Sequence, residues 1–397
     1  MANTYHTFAC SDSRSLPWIP EESVDLIVTS PPYPMIEMWD ELFSSLDPRI
    51  GELLPHGKAP IGRSTAAWAG AEPTTASYEM AREAHERMHQ LLDSVWREGF
   101  RVLRPGGILC INVGDATRTI DGHFSLYSNH TRIASYCLSL GFTGLPVVLW
   151  RKQTNAPTKF MGSGMFPPGA YITLEHEYIL VFRKGEKREF RSELERENRR
   201  ESAYFWEERN TWFSDIWDFK GSKQKMGDEL TRGRSGAFPF ELAFRLLCMF
   251  SVRSDLVLDP FVGTGTTLLA AAATGRSSIG VELDRRLVET AASHIVDAVD
   301  LLRAHQENRI ERHLQFVERR RSEGKMPAHL NRPYGFPVVT RQEIELKIDL
   351  PVAATSGPVK AEEVPAVSPS SHGEYPQGSI GVTMQYRPYA HDFLPFH

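Results

Sequence analysis

The sequence predicts an α/β protein: a doubly wound, mostly parallel sheet with helices on both faces and loop or helical insertions. Three observations carry this. Short apolar runs alternate with amphipathic stretches from the N-terminus to about residue 300, the pattern of successive strand–helix units. Two of these runs, 24–28 and 256–258, end in rigid or glycine-rich turns. Asp12, Ser30, Asp115, Asp259 and Glu282 fall at or just past predicted strand ends, the rim where ligands bind in such sheets.

Residues 5–10 read as a strand ending at Ser11-Asp12-Ser13, and 24–28 as a second, buried strand. The stretch 45–78 is rich in Pro, Gly, Ala and Thr and reads as a long loop or insertion. Residues 79–98 place Met80, Ala84, Met88, Leu91, Leu92 and Val95 on one helical stripe. A turn at Arg104-Pro105-Gly106-Gly107 precedes a buried strand over 108–113 that ends at Gly114-Asp115. A helix over 129–140 and strands near 144–150 and 177–183 follow. Alternating charge makes 184–213 an exposed helical stretch, and 218–237 is a Gly- and Lys-rich loop. Pro239 opens a helix over 239–250. A strand at 256–258, a helix at 266–274, a strand at 278–281 and a helix at 285–304 come next, the last running on as a charged helix over 305–325. Beyond about residue 350 the Pro-, Ser- and Gly-rich composition predicts a mobile or draped tail, whose removal should leave the site intact. The organisation expected is a first half of an α/β domain (1–183), an insertion (184–236), a second half (237–304), a charged helical extension (305–349) and the tail (350–397).

The chain has 397 residues, 41% hydrophobic and 24% charged, as in water-soluble globular proteins. Its four cysteines form no CxxC pair, so neither a metal site nor a disulfide framework is expected, and a reducing cytoplasm fits. No apolar run approaches membrane-spanning length and no basic-then-apolar leader is read. A formal net charge of −5 excludes a globally basic nucleic-acid binder. Any contact with DNA must therefore be local. Candidates are Arg151, Lys152 and Lys159; Lys220, Lys223, Lys225, Arg232 and Arg234; and Arg319, Arg320 and Arg321.

Thr29-Ser30-Pro31-Pro32-Tyr33 follows the second strand. The two prolines stop the strand and stiffen the turn, because each fixes φ and lacks an N–H. The platform presents the Ser30 hydroxyl, backbone carbonyls and the Tyr33 ring, a fit for a planar group that is stacked and hydrogen-bonded along one edge, such as an extruded nucleobase. The second motif is Leu258-Asp259-Pro260-Phe261-Val262-Gly263-Thr264-Gly265-Thr266-Thr267. Gly263 and Gly265 allow close backbone approach, and the helix N-terminus with the Thr266 and Thr267 hydroxyls offers donors to an anion. No Lys follows in the phosphate-loop arrangement, and the glycine fingerprint is incomplete. Glu282, at the end of the next strand, is placed to accept the hydroxyls of a ribose. A glycine loop and a ribose acid without a diphosphate cradle suit S-adenosylmethionine, with NAD as the alternative.

Together the two motifs resemble the amino-group DNA methyltransferases, from about residue 4 to 300. The Asp-Pro-Phe-x-Gly-x-Gly-Thr-Thr segment (Asp259 to Thr267) is similar to the family's cofactor segment, and Ser30 to Tyr33 to its target-base segment. The catalytic segment comes first, which looks like the permuted beta class. The resemblance implies a Rossmann-like sheet of about seven strands. It also implies S-adenosylmethionine as cofactor, with Asp12, Phe238, Pro239, Asp259, Phe261, Gly263, Gly265, Thr266, Thr267 and Glu282 around it and Ser30, Pro31, Pro32 and Tyr33 at the target base. Val28 to Tyr33 is similar to the signature of the cytosine-N4 enzymes; adenine-N6 enzymes more often carry Asp at the Ser30 position. The segment from His176 to Lys184 resembles the strand late in the catalytic half. The implied activity is methyl transfer to cytosine N4 in flipped-out duplex DNA, within a restriction–modification system. Adenine-N6 methylation is the alternative, and a non-catalytic nucleic-acid-binding subunit a further one. Double-stranded DNA and a cognate restriction endonuclease are the expected partners of a monomer or homodimer in the cytoplasm, on the nucleoid. Hydrogen bonds from the amine to Ser30 Oγ and the Pro31 carbonyl would aim the nitrogen, and Tyr33 would stack on the base. Asp115 is expected to cap a strand end rather than to take a proton. The segments 151–170, 184–236 and 45–78 are the candidates for sequence reading, which needs loops in the major groove.

Overall fold

The computed structural model describes residues 3–54, 75–120, 123–152, 165–169, 171–219, 238–359 and 375–389. Two strands, β1 (Thr4–Cys10) and β2 (Val24–Thr29), lead into α1 (Asp40–Leu46), α2 (Pro48–Leu53) and the long α3 (Thr75–Val102). Next come β3 (Leu103–Val113), the hairpin β4 (Ala116–Ile120) and β5 (His123–Tyr127), α4 (Asn129–Ser139), β6 (Phe142–Gly144), β7 (Val148–Arg151) and β8 (His176–Lys184). The middle of the chain forms α5 (Glu193–Glu201), α6 (Trp206–Trp212), β9 (Ile216–Asp218) and α7 (Phe240–Phe250). Then follow β10 (Leu256–Asp259), α8 (Thr266–Ala273), β11 (Ser277–Glu282), α9 (Arg285–Asp297) and α10 (Val299–Ser322). The last strands are β12 (His329–Leu330), β13 (Pro337–Val338), β14 (Asp349–Pro358) and β15 (Ile380–Pro388).

Ten strands run in the order β14-β15-β1-β11-β10-β2-β3-β8-β7-β9, with β6 also paired to β8, giving an 11-stranded sheet. Pairing is parallel from β1 through β11, β10 and β2 to β3. Tracing the antiparallel pairings outward leaves β8 and β15 alone running against the other described strands of this sheet. It is thus mostly parallel and wider than the expected seven strands. Side chains alternate between its faces. On β2, Ile27 joins one apolar layer with α3 and α4, while Leu26 and Val28 join the other with α7, α8 and α9. Burial on both faces explains the apolar run Leu26-Ile27-Val28 of β2.

The expected tail is the largest correction. β14 and β15 extend the sheet, and β15 pairs antiparallel with β1 from Thr4↔Met384 to Phe8↔Ile380. Val382 and Met384 are fully buried, and Tyr386 donates to the Ala272 carbonyl (2.6 Å) and bonds Thr4 Oγ1 (2.7 Å). Period-two burial and β-branched residues make the strand; the surrounding Pro, Ser and Gly hid it. The expected loop at 45–78 contains α2, whose start is fixed by Asp47 accepting from the Arg49 N–H (3.1 Å) and by Pro48 in the first turn. The helix expected over 285–304 breaks at Ala298 into α9 and α10.

The charged extension is helical only to Ser322. Beyond it, Phe336, Val338, Leu346, Ile348 and Leu350 form a small core with Ile310 of α10 and Phe205. The stretch 184–213 is therefore only partly exposed. α5 lies in solvent, but α6 is clamped by Arg309, which forks onto Glu208 at 2.6 and 2.8 Å. The cluster from Lys220 to Arg234, Lys159, and most of the loop at 45–78 lie outside the described residues. Among the described residues no helix is long and apolar enough to cross a membrane.

Candidate active site and cofactor pocket

β2 and β10 are neighbours in the sheet, so the turns that leave their carboxyl ends share one rim. After β2, Ser30 Oγ lies 2.9 Å from Tyr33 Oη, and Tyr33 donates to Glu177 Oε2 at 3.1 Å. Asn112, buried near the end of β3, donates to Tyr33 Oη (2.9 Å) and to Glu177 Oε2 (2.6 Å). Lys152 pairs with the other Glu177 oxygen. Burial and the adjacent Glu177 charge hold the Tyr33 phenol well above its usual range. Gly114 gives the ring room: a Cβ there would lie 3.2 Å from Tyr33 Cε2.

The turn is also held from behind. Asn129, at the start of α4, donates to the carbonyls of Pro34 (3.1 Å) and Gly114 (3.0 Å). Its Oδ1 accepts from His85 and His89, both at 3.0 Å. Burial lowers the pKa of each imidazole, so this pair favours the neutral form.

After β10 the arrangement is different. Asp259 accepts from Thr29 Oγ1 (2.7 Å), Thr267 Oγ1 (2.6 Å) and the Phe261 N–H (3.0 Å). One buried carboxylate thereby joins the end of β2, the glycine loop and α8. Burial pushes its pKa up to about 6 against the hydrogen bonds from Thr267 and Thr29. Gly263 (φ 49°) and Gly265 (φ 89°) occupy the left-handed region that favours glycine. Glu282 accepts from the backbone N–H groups of Gly263 (3.2 Å), Leu283 (2.9 Å) and Asp284 (3.2 Å).

Both turns open on one cavity of about 960 Å³. It is lined by Ser30, Pro31, Pro32 and Tyr33 on one side and by Phe238, Asp259, Phe261, Gly263, Thr266 and Glu282 on the other, with Asp12 at the rim. Three expected cofactor residues are absent from this lining. Pro239 caps α7, and Gly265 caps α8 with its backbone close to Ala291. The Thr267 hydroxyl, expected to face an anion, instead donates to Asp259. Asp12 is engaged by Arg14, which forks onto both its oxygens at 2.6 to 3.0 Å. Burial opposes ionisation of Asp12, but the Arg14 hydrogen bonds and charge outweigh it and lower the carboxyl pKa. Asp115 caps α4, accepting from the His130 N–H (3.1 Å) and ring (2.8 Å).

Asn112, Glu177 and Arg14 are site residues that the sequence argument did not single out, and Lys152 was singled out only as a candidate DNA contact. Asn112, Glu177 and Lys152 are lone polar residues in or beside strands whose partners lie far along the chain, whereas Arg14 lies in the turn after β1 and meets Asp12 two residues earlier. Glu177 and Asn112 carried one faint signal: a polar residue inside an apolar strand is costly unless it is paired. The donor set suits a nucleoside-bearing sulfonium cofactor. Gly263 exposes backbone, Glu282 is a fixed carboxylate, and the buried Thr264 Oγ1 on the loop has no partner among the described residues.

A match to the DNA methylase family of N6 and N4 enzymes covers residues 24–293. The type II methyltransferase M.MthZI of Methanothermobacter thermautotrophicus is 45% identical over 349 residues, 88% of this chain and 91% of its own. The type II methyltransferase M.MjaI of Methanocaldococcus jannaschii is 46% identical over 284 residues, 72% of this chain and 89% of its own. Among solved structures, the Thermus thermophilus protein TTHA0409, in complex with S-adenosyl-L-methionine, superposes with a TM-score of 0.52 at 33% identity, covering 74% of this chain and 95% of its own. A cavity shared by a strand-end Ser-Pro-Pro-Tyr turn and a glycine loop, on a chain this similar to these proteins, makes it a member of the DNA methylase family, the S-adenosylmethionine-dependent amino-methyltransferases.

Proposed function

We propose that this chain methylates the exocyclic N4 amine of cytosine in duplex DNA and serves as the modification half of a restriction–modification system. The observation that carries the reading is the placement of Ser30 on the same cavity as the glycine loop. S-adenosylmethionine, when bound, supplies the electrophilic methyl group. Gly263, Phe261, Phe238, Glu282 and Asp12 would hold it, and Thr264 would offer its unpaired hydroxyl. Ser30 and the Pro31 carbonyl would accept hydrogen bonds from the amine and aim its lone pair along the cavity. Alignment of this kind supplies much of the rate in a direct displacement. The Tyr33 ring would stack on the flipped base, worth about 1–3 kcal/mol.

A neutral Ser at position 30, where adenine-specific relatives more often have Asp, favours cytosine. Two type II methyltransferases among the relatives favour a restriction–modification setting, with a cognate endonuclease as companion. The test is methyl transfer from labelled cofactor to mixed-sequence duplex DNA, followed by digestion and mass spectrometry of the nucleosides. N4-methyldeoxycytidine product supports the proposal. N6-methyladenine moves the target to adenine on the same fold. DNA binding with no methylated nucleoside leaves a binding subunit.

A further inference from the structure

Proton bookkeeping around Tyr33 fixes which way the Ser30 hydroxyl points. Glu177 is paired with Lys152, so its carboxylate only accepts, and Tyr33 gives its one proton to Glu177 Oε2 at 3.1 Å. Asn112 adds a second donor to Tyr33 Oη at 2.9 Å. Tyr33 therefore has no proton left for Ser30, and the 2.9 Å contact between them requires Ser30 Oγ–H to donate to Tyr33 Oη. Ser30 Oγ is left with lone pairs alone to offer the cavity. That orientation suits an amine, which brings N–H groups and needs an acceptor.

We propose that Ser30, Tyr33 and Glu177 form a hydroxyl relay: Ser30 meets the amine as an acceptor, and Glu177 takes up the proton that the amine loses. This rests on the reading of Ser30 as the group that meets the target amine. The nitrogen lone pair forms the new N–C bond, and the electron pair of the broken methyl bond stays with the donor. The nitrogen then holds a surplus proton. As it passes to Ser30 Oγ, the Ser30 proton moves to Tyr33 Oη and the Tyr33 proton to Glu177. Both hydroxyls end neutral and the carboxylate becomes a carboxylic acid. The half-exposed Lys152 beside it marks the way by which the proton reaches water. No strong base is required, because an alkylated, ring-conjugated amine is acidic.

The other nearby acids bond groups other than Ser30 and Tyr33. Asp115 is occupied by His130, and Asp259 accepts three hydrogen bonds in the loop beneath. Among the described acids of the cavity, Glu177 alone is joined to Ser30 through a hydroxyl. It acts through Tyr33 and is a positioning and proton-accepting residue rather than one that touches the base.

The test uses the full-length protein, its DNA and labelled S-adenosylmethionine in single-turnover experiments. Tyr33→Phe keeps the aromatic face but removes the middle of the relay. Glu177→Gln keeps the shape but removes the acceptor. Each should slow methyl transfer about 100-fold, the lower end of general-base effects, with cofactor and DNA affinities unchanged. The double variant should be no slower than the slower single one, because both changes break the same path. Wild-type rates in either variant, losses confined to affinity, or factors that multiply in the double variant would overturn the relay. The nucleoside made by the wild type judges the proposed target separately. An adenine product would shift that reading and leave these rate ratios to decide the relay.

Discussion

The turns after β2 and β10 leave adjacent strands and face the same cavity, yet they are held by different means. The glycine loop is held by backbone and by one buried acid: Glu282 gathers three N–H groups, and Asp259 ties the loop to Thr29 and Thr267. The Ser-Pro-Pro-Tyr turn is held by side chains from three other strands or their ends, Asn112 from β3, Lys152 after β7 and Glu177 from β8. A cofactor common to a whole family can be cradled by backbone, which any sequence supplies. Proton handling at the base needs particular donors and acceptors, which only side chains supply. The expectation is that damage to the first turn removes binding, whereas damage to the second removes rate.

The harshest test strikes the scaffold beneath the cofactor side. Deleting the chain from residue 349 removes β14 and β15 and exposes the edge of β1, the strand that leads to Asp12 and pairs with β11 as far as Glu282. Val382 and Met384 alone bury side chains worth about 1.5–3 kcal/mol each, a large part of a typical domain's stability. The truncated protein should lose its cooperative thermal transition or aggregate through the bare edge. A monomer with an unchanged midpoint would show β15 to be dispensable. Next is Gly263→Val. A Cβ there meets nothing closer than the Phe261 carbonyl at 3.9 Å, so the fold has room for it. The strain lies in φ 49°, which a β-branched residue resists. Calorimetry should find no cofactor binding to a protein that still melts cooperatively, and retained binding would remove this loop from the site.

The same contrast explains what the sequence revealed. The glycine loop and the Pro-Pro turn are contiguous, and glycine and proline have few uses other than special backbone, so both were legible together with their strands and their common rim. Glu177, Asn112 and Lys152 were not, because each meets Tyr33 or its partner only through the β3–β8 and β7–β8 pairings, and Asn112 and Glu177 lie 65 residues apart in the chain. The Thr267 hydroxyl was assigned to the ligand because its partner Asp259, eight residues earlier, faces it only once the loop has turned. β15 was missed because composition was weighed over the period-two pattern of Val382 and Met384.

On the side proposed for the base, Ser30→Ala removes the acceptor proposed for the amine and leaves both prolines and the Tyr33 ring. Single-turnover methyl transfer should fall about 100-fold. Cofactor affinity, measured separately, should stay at the wild-type value. A loss of affinity with the rate preserved would reverse the contrast between the two turns.

The smallest effect tests whether the stitch between the turns must be an ion. Asp259→Ala leaves the Thr29 and Thr267 hydroxyls and the Phe261 N–H without their acceptor and should cost about 1–3 kcal/mol in chemical denaturation. Asp259→Asn keeps an acceptor for Thr29 and Phe261, and Thr267 can turn its proton to the Val28 carbonyl at 3.3 Å, so its stability at neutral pH should be close to that of the wild type. The pH dependence separates the two forms. Burial raises the Asp259 pKa from 3.8 in the unfolded chain to about 6, so the folded state holds this proton more tightly. The stability that follows is fully present below about pH 4 and is lost as pH rises through about 6. Relative to Asp259→Asn, the wild type should therefore be more stable at about pH 4 than at about pH 7. A difference that is flat over this window would mean that Asp259 folds as an ion, already ionised at the pH where its hydrogen bonds form.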